Sequence, residues 1–185
     1  MIINLRNWKN DIGKTLYSGT CGDTAYWSLS DTGYLVIYGT GAMNDYTNTT
    51  MPWYSYLSSI TNSIIIGVTY IGNNVFYSCA SLVSVTISDS VTSIGGSVFR
   101  NCTSLKSVTI PDSVTSIGSG AFLDSYSITS ITFNGSQPTL GSSSFSLGNS
   151  THPSTATVYS SGWANATVFT STIIGSYTTL SYVTV

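Results

Sequence analysis

Short runs of alternating polar and apolar residues recur along the middle of the chain. One run, Ser107-Val108-Thr109-Ile110, has the same four residues as the earlier run that begins at Ser84. Period-two alternation with β-branched side chains is typical of a short strand with one buried face. Pro111-Asp112-Ser113 follows the later run and is a combination that ends a strand and turns the chain. Each run therefore predicts a short, half-buried strand whose Val and Ile side chains point inward.

These runs belong to a repeat of 23 residues. Phe76, Phe99, Phe122 and Phe145 are spaced by that interval, and other columns keep the same spacing. The other columns are Ile71, Ile94, Ile117 and Leu140; Val68, Val91 and Val114; Leu82, Leu105 and Ile128; Val85, Val108 and Ile131; and Cys79, Cys102 and then Ser125. Because so small a unit cannot bury its apolar side alone, we expect parallel strands stacked about 4.8 Å apart. The spacing predicts about four repeats, with the first shortened by two residues before Val68.

A β-hairpin is predicted ahead of the repeats. Ala25 to Ser30 and residues 34–38 are strand-like, and the short Asp31-Thr32-Gly33 loop joins them. Its apolar side chains would cover the open end of the stacked strands. We divide the chain, as one structural unit, into an N-terminal extension (1–19), an N-terminal cap (20–62), repeats (63–145) and a C-terminal cap (146–185).

The sequence pattern of the repeat resembles that of a known family. SVTIPDSVTSIGSGAF, beginning at Ser107, is similar to the unit of the BspA-like leucine-rich repeat (LRR) surface protein family, approximately L-x-x-V-x-I-P-x-x-V-x-x-I-G-x-x-A-F-x-x-C. The segment CGDTAYWSLSDTGYLVIYGTGAMNDY from Cys21 resembles the N-terminal cap of these proteins, and the region from Ala156 resembles their closing region. Ser125 departs from the pattern, since it stands where a third Cys is expected. The resemblance implies a mainly β leucine-rich-repeat solenoid that serves in surface adhesion and host interaction.

Charge is scarce. Charged residues make up 6% of the chain, Glu is absent, and the formal net charge is −2. So low a charge produces only a weak electrostatic field, which argues against nucleic-acid binding and against electrostatic docking on membranes. No apolar run approaches the roughly 20 residues of a membrane span, and the N-terminus lacks a basic start followed by an apolar stretch of about 7–15 residues. Without a signal peptide, we expect a processed piece, a cytosolic protein or a virion component, and we favour an extracellular, cell-surface or virion-exterior location.

The residues that could carry chemistry have simpler interpretations. His152 lies in a loop by composition and is interpreted as a surface histidine. Asp89 and Asp112 occupy one repeat position, at about the 5 Å separation of a retaining glycosidase pair, but each begins a turn. Cys79 and Cys102 fall within the distance range of a disulfide, yet are interpreted as a buried thiol ladder. We therefore predict no enzyme, no metal site and no cofactor, with hydrolysis by the two aspartates as the alternative.

Glycines follow the same repeat. Gly72, Gly95 and Gly118 each come directly after the Ile column. A turn with positive φ explains this position better than a phosphate-binding loop. We therefore assign these glycines to the scaffold.

The outward side of the strands is the predicted contact surface. Its columns are Ser63, Ser84, Ser107 and Ser130, then Ile65, Thr86, Thr109 and Thr132, flanked by Val83, Lys106 and Thr129. Aromatic residues of the caps could stack on sugar rings, namely Tyr46, Trp53, Tyr54, Tyr56 and Trp163. The candidate binding residues are Ser84, Thr86, Lys106, Ser107, Thr109, Thr132, Trp53 and Tyr54. The alternative is that Thr is simply a good strand-surface residue and that the aromatic residues seal the core.

These features predict a non-enzymatic binding or adhesion module that recognises a protein or glycan on a host or cell surface. Two alternatives are a phage virion component, such as a decoration protein or tail-tip adhesin, and a structural spacer anchored by its N-terminus. Leu5, Trp8, Ile12 and Leu16 are spaced as one face of a short helix. Residues 1–19 would thus either pack on the cap or anchor the module in a larger assembly.

Overall fold

The computed structural model describes residues 12–160, 174–176 and 178–184. Its elements are β1 (Thr15–Thr20), β2 (Ala25–Ser30), β3 (Tyr34–Ala42), the 3₁₀-helix η1 (Tyr54–Ser59), β4 (Asn62–Ile71), β5 (Ser84–Ile87), β6 (Ser93–Ile94), β7 (Ser107–Ile110), β8 (Ser116–Ile117), β9 (Ser130–Phe133), β10 (Thr139–Leu140), β11 (Ser154–Ser160) and β12 (Thr178–Thr184). In the described part of the chain, no helix is long and apolar enough to cross a membrane. The mainly β fold predicted from the alternating runs is confirmed.

Two stacks of parallel strands run along the repeats. The two-residue strands β6, β8 and β10 form one stack that starts on the last two residues of β4, and the longer strands β7-β9-β11-β12 form the other. β5 pairs with β4 and lies before β7, where the ladder is interrupted. At that point the Lys106 N–H still donates to the Val83 carbonyl at 3.4 Å. Each repeat therefore contributes a longer strand, a turn and a two-residue strand to a solenoid.

The predicted inward columns form the core. Val108 pairs in register with Ile131, and both are buried. The four Phe rings of the repeat stack with centroid separations of 5.1, 5.2 and 5.0 Å and nearly parallel planes. These separations are close to the spacing of neighbouring strands, because one ring enters the stack with each repeat. The 23-residue spacing thus translates directly into a continuous aromatic column.

The cysteine column is a ladder of buried free thiols, as predicted. Cys102 Sγ lies 3.2 Å from the Phe76 carbonyl oxygen, to which it donates. One repeat further on, Ser125 Oγ donates to the Phe99 carbonyl at 2.6 Å. Ser125 therefore makes the same hydrogen bond as the cysteine it replaces, and the departure from the repeat pattern leaves the backbone unchanged.

The first repeat has a different register from the one predicted. Ser63 pairs with Val85 and Ile64 with Thr86, so this repeat is shorter by one residue there, not two. Ser63 is buried, and its hydroxyl donates to the Leu35 carbonyl at 2.8 Å. Because a one-residue shift moves every side chain of a strand to the opposite face, the outward placement of Ser63 and Ile65 was wrong. Asn62 and Ile64 occupy those positions instead.

The glycine column is required by close packing between repeats. Gly95 and Gly118 are absent from the residues with positive φ, so the predicted positive-φ turn was wrong. A Cβ on Gly118 would lie 2.5 Å from the Gly96 nitrogen and 2.6 Å from the Gly95 carbonyl carbon. The turns of neighbouring repeats therefore approach too closely for any side chain at this position.

The hairpin predicted for the N-terminal cap is confirmed. β2 and β3 pair antiparallel, and the apolar residues Trp27, Leu29, Leu35 and Ile37 are buried in the main core. β3 then pairs in parallel with β4, which joins the cap to the first repeat.

The predicted N-terminal helix does not extend to Leu16. Thr15–Thr20 forms β1, which pairs antiparallel with β2, so that part of the prediction was wrong. Leu5 and Trp8 lie outside the described residues. Ile12 is buried against Val36 and Ile64 on the outer side of β3 and β4.

The region predicted as the C-terminal cap contributes two more strands in the direction of the repeats. β11 pairs in parallel with β9, and β12 pairs in parallel with β11. Val158 continues the inward column of Ile131 and is fully buried. The solenoid therefore continues beyond Phe145, while the segment boundaries drawn from the sequence stay a prediction.

Candidate functional site on the outward side of the strands

The longer strands present two columns of side chains away from the core. In register order the first column is Asn62, Ser84, Ser107, Ser130, Thr157 and Ser181, and the second is Ile64, Thr86, Thr109, Thr132, Tyr159 and Val183. We call the central part the strand face, defined as Ser84, Thr86, Ser107, Thr109, Ser130 and Thr132 with Lys106 at its margin. The predicted residues from Ser84 to Thr132 thus lie on one surface, whereas Ser63 and Ile65 do not belong to it.

The centre of the strand face is exposed to solvent. Ser84, Thr86, Ser107 and Thr109 are exposed, whereas Ser130 and Thr132, nearer to β11, are half-buried. Ser84 Oγ donates to Asn62 Oδ1 at 2.6 Å, which links two strands within the first column. A hydroxyl can both donate and accept hydrogen bonds, so this surface suits a partner with mixed polar groups.

Charge on this surface comes from one group at its margin. Lys106 is exposed, and its backbone links the neighbouring repeats because its carbonyl accepts from the Thr129 N–H at 2.9 Å. Val83 is 47% exposed and occupies the equivalent position one repeat earlier. The margin therefore offers one ammonium group beside an exposed apolar side chain.

The threonine column ends in larger side chains at both ends. Ile64 is buried under Ile12 and Val36, which belong to a small apolar cluster separate from the main core. At the other end Tyr159 and Val183 extend the threonine column. Tyr159 was not predicted because its strand lacks the Ser-Val-Thr-Ile pattern, although the alternation in Ser154–Ser160 was a signal for it.

Trp53 is a core residue rather than a contact residue, so its prediction as a binding residue was wrong. Its side chain is fully buried, and Nε1 donates to the Val75 carbonyl at 2.9 Å. The ring meets Trp27 edge-on at 5.5 Å and Tyr46 at 5.9 Å. A side chain held in this way seals the end of the solenoid, which was the alternative interpretation.

The other aromatic candidates differ in exposure. Tyr54 directly follows Trp53 and is the first residue of η1. It is 45% exposed and borders an open groove of about 380 Å³. Tyr56 stacks on Tyr17 with ring centroids 4.2 Å apart. Trp163 lies outside the described residues. Among the predicted aromatic candidates that lie in the described residues, Tyr54 is therefore the most exposed.

The titratable candidates His152, Asp89 and Asp112 lie at the surface of the described part of the chain. His152 is exposed, stacks on Tyr126 at 4.3 Å, and places Nδ1 2.9 Å from Thr151 Oγ1. Asp89 and Asp112 are exposed. Among the described residues no three His, Cys, Asp or Glu side chains lie close enough together to hold a metal ion.

The buried thiols are poor nucleophiles. Burial raises the pKa of Cys21 to about 12, and burial is also the main cause that raises the pKa of Cys79 to about 12. Since the thiolate is the reactive form, both groups are protonated and inert near neutral pH.

This geometry defines a class of protein: a β-solenoid of short repeats that presents one hydroxyl-rich strand surface with a single lysine at its margin. A profile of the BspA type Leucine rich repeat region matches six copies over residues 54–182. The chain belongs to the BspA type leucine-rich repeat family. The profile thus finds six copies where the 23-residue spacing predicted about four repeats. The larger number agrees with the further parallel strands β11 and β12.

Two solved structures of bacterial leucine-rich repeat proteins, from Bacteroides ovatus and T. pallidum, share this fold. A leucine-rich repeat protein from Bacteroides ovatus superimposes with a TM-score of 0.59 at 20% identity, covering 83% of this chain and 43% of its own. The T. pallidum leucine-rich repeat protein gives 0.50 at 21% identity, covering 76% and 70%. One from Eubacterium ventriosum gives 0.49 at 25% identity, covering 65% and 44%.

The chain spans less than half the length of the B. ovatus and E. ventriosum proteins. No curated protein matches it.

Proposed function

We propose that the chain is a non-enzymatic recognition module, displayed outside a cell or particle, that binds a protein or glycan surface through the strand face. The observation that carries the proposal is the continuity of exposed hydroxyl groups across β5 and β7, at Ser84, Thr86, Ser107 and Thr109. Membership of the BspA type family supports a surface role, because the family resemblance implies adhesion.

The chemistry of the strand face favours a partner bound by many weak contacts. Hydroxyl groups on adjacent strands recur at the strand spacing of about 4.8 Å and offer both donors and acceptors. Their strands are fixed by the buried Val and Ile columns, so the groups lose little freedom when a partner binds. An extended, pre-organised surface of this kind suits attachment better than the enclosure of a reacting group.

The test is attachment of the fluorescently labelled chain to cultured epithelial cells. The variant Thr86→Arg with Thr109→Arg places two large cations in the middle of the strand face. Its matched control is Thr92→Arg with Thr115→Arg, two exposed threonines one repeat apart that flank the short strands. We expect the strand-face pair to lower attachment by about tenfold, which corresponds to about 1.4 kcal/mol, and the control pair to leave it unchanged.

Treatment of the cells separates the two partner classes. Periodate destroys sugars and should abolish attachment to a glycan, whereas protease should abolish attachment to a protein. Equal attachment by the two double variants would contradict the strand-face proposal.

The spacer and virion alternatives predict different results. A structural spacer would attach to no cell, or would attach equally well with either pair of substitutions. A virion component would be found in purified particles, whereas a cell-surface module would be found in the cell-wall fraction.

A further inference from the structure

A second surface, distinct from the strand face, has the composition of a small-molecule site. It is the groove of about 380 Å³ between η1, the loop before it and the turn after β4. Pockets that hold small ligands usually measure about 300–1,000 Å³ and combine apolar or aromatic walls with a few polar groups. The groove is within this range and is built from elements that contribute nothing to the strand face.

The lining residues define the kind of ligand. Tyr54 and Tyr77 supply aromatic rings, and Asn48, Ser55, Ser58 and Ser78 supply amide and hydroxyl groups. None of the lining side chains carries a charge. A phosphorylated or carboxylated ligand would find no cation among the lining side chains, while an apolar ligand would leave the hydroxyl groups without partners.

The walls of the groove are held by contacts outside it. Trp53 and Ile60, at the two ends of η1, are fully buried, which fixes the helix that carries Tyr54. The guanidinium carbon of Arg100 lies 5.7 Å from the centroid of the Tyr77 ring. The Ser78 N–H donates to the Arg100 carbonyl at 2.8 Å. The aromatic and hydroxyl groups are therefore positioned before any ligand arrives.

The opposite wall is ordered in the same way. In the loop before η1 the Thr47 N–H donates to Thr50 Oγ1 at 2.9 Å, and the two hydroxyl oxygens are 3.1 Å apart. Asn74 Nδ2 donates to the Tyr46 carbonyl at 2.7 Å, which ties this loop to the first repeat. Little ordering is thus left for the binding step, so weak contacts can suffice.

We propose that this groove binds a neutral mono- or disaccharide. A pyranose ring offers an apolar C–H face that fits against an aromatic ring, and hydroxyl groups around its edge that match Asn and Ser side chains. The half-exposed Tyr54 ring supplies the apolar face, and the uncharged lining matches a neutral sugar. This proposal is independent of the partner bound by the strand face.

The experiment is calorimetric titration of the whole chain with glucose, galactose, mannose, N-acetylglucosamine, lactose, maltose and chitobiose. We expect at least one of these sugars to bind. Tyr54→Ala should weaken that binding by about tenfold or more, whereas Tyr54→Phe, which keeps the ring, should retain most of it. The matched control is Tyr26→Ala, since Tyr26 is a similarly exposed tyrosine on β2.

Two further outcomes decide the matter. The strand-face variant Thr86→Arg with Thr109→Arg should bind the sugar as the wild type does, so failure of one proposal leaves the other intact. If no sugar of the panel binds, or if Tyr26→Ala weakens binding as much as Tyr54→Ala, the groove is not a saccharide site.

Discussion

The buried hydroxyl of Ser125 allows a sharp test of how this solenoid tolerates departures from its repeat. Ser125 Oγ donates to the Phe99 carbonyl at 2.6 Å and accepts from the Cys102 N–H at 3.1 Å. Ser125→Ala removes both hydrogen bonds while hardly changing the volume of the side chain. The residue is fully buried, so water cannot replace the lost oxygen.

The structure limits the size of the effect. The Cys102 N–H also donates to the Phe99 carbonyl at 3.3 Å, so the two backbone groups keep each other as partners after the substitution. Leaving a buried polar group wholly unpaired costs about 1–3 kcal/mol, and a retained partner places this case toward the lower end. We expect Ser125→Ala to lower the free energy of unfolding by about 1–2 kcal/mol, or the melting temperature by about 2–8 °C.

The chain supplies its own control for this substitution. Ser144 is also fully buried, but its hydroxyl has no hydrogen-bond partner among the described residues. It stands one repeat after Ala121 in a column that begins with Val75 and Val98, so Ser144→Ala restores the apolar character of that column. Removing an unpaired buried hydroxyl should be neutral or stabilising.

The assay is urea denaturation followed by far-ultraviolet circular dichroism. Ser125→Cys, which restores the cysteine of the repeat, should stay within about 1 kcal/mol of the wild type, because Cys102 makes the equivalent bond. If Ser125→Ala and Ser144→Ala lose the same stability, the cost comes from packing at the position and the hydrogen-bond argument is refuted.

Three further predictions concern the core, the thiols and the cap. Phe99→Ala removes a ring stacked on both sides and should cost about 3–5 kcal/mol in the same denaturation assay; a loss below about 1 kcal/mol would contradict the aromatic column. Burial raises the pKa of Cys21 and of Cys79 from 9.0 to about 12, so these thiols stabilise the fold fully below about pH 9 and progressively less as the pH rises toward 12. The urea concentration at the unfolding midpoint should therefore decrease as the pH is raised from about 8 to about 10.5. The decrease should be smaller in the double variant Cys21→Ala with Cys79→Ala, and an equal decrease in that variant would refute the assignment. Gly67→Ala should prevent cooperative unfolding or lower the melting temperature markedly, because Gly67 has φ +80° and its added Cβ would collide with the Gly39 carbonyl, whereas the exposed Thr69→Ala should have little effect.

Residues of the repeat core could be assigned from the sequence alone. The Phe, Val and Cys columns recur at one interval, and identical short segments that stack in parallel place equivalent side chains above one another. Ser125 illustrates the strength of this rule, since even a substituted position keeps the same hydrogen bond. For the same reason the strand face at Ser107 and Thr109 followed from alternation with period two.

The register of the first repeat was decided by the tertiary structure. Alignment of the first repeat with the later copies, shortened by two residues, places Ser63 and Ile65 among the outward residues. β4, however, must pair with β3 of the cap as well as with β5. A strand shared between two partners takes the register that satisfies both, and one residue of shift exchanges its faces.

The sequence by itself determined the repeating core, the family and the hydroxyl-rich strand face from Ser84 to Thr132, because these depend on local alternation and on a spacing that recurs within the chain. Only the tertiary structure decided that Trp53 is buried while its neighbour Tyr54 borders a groove. It also decided that β11 and β12 continue the ladder of parallel strands. These outcomes depend on contacts between segments far apart in the chain, and no pattern within one segment encodes which partner it meets.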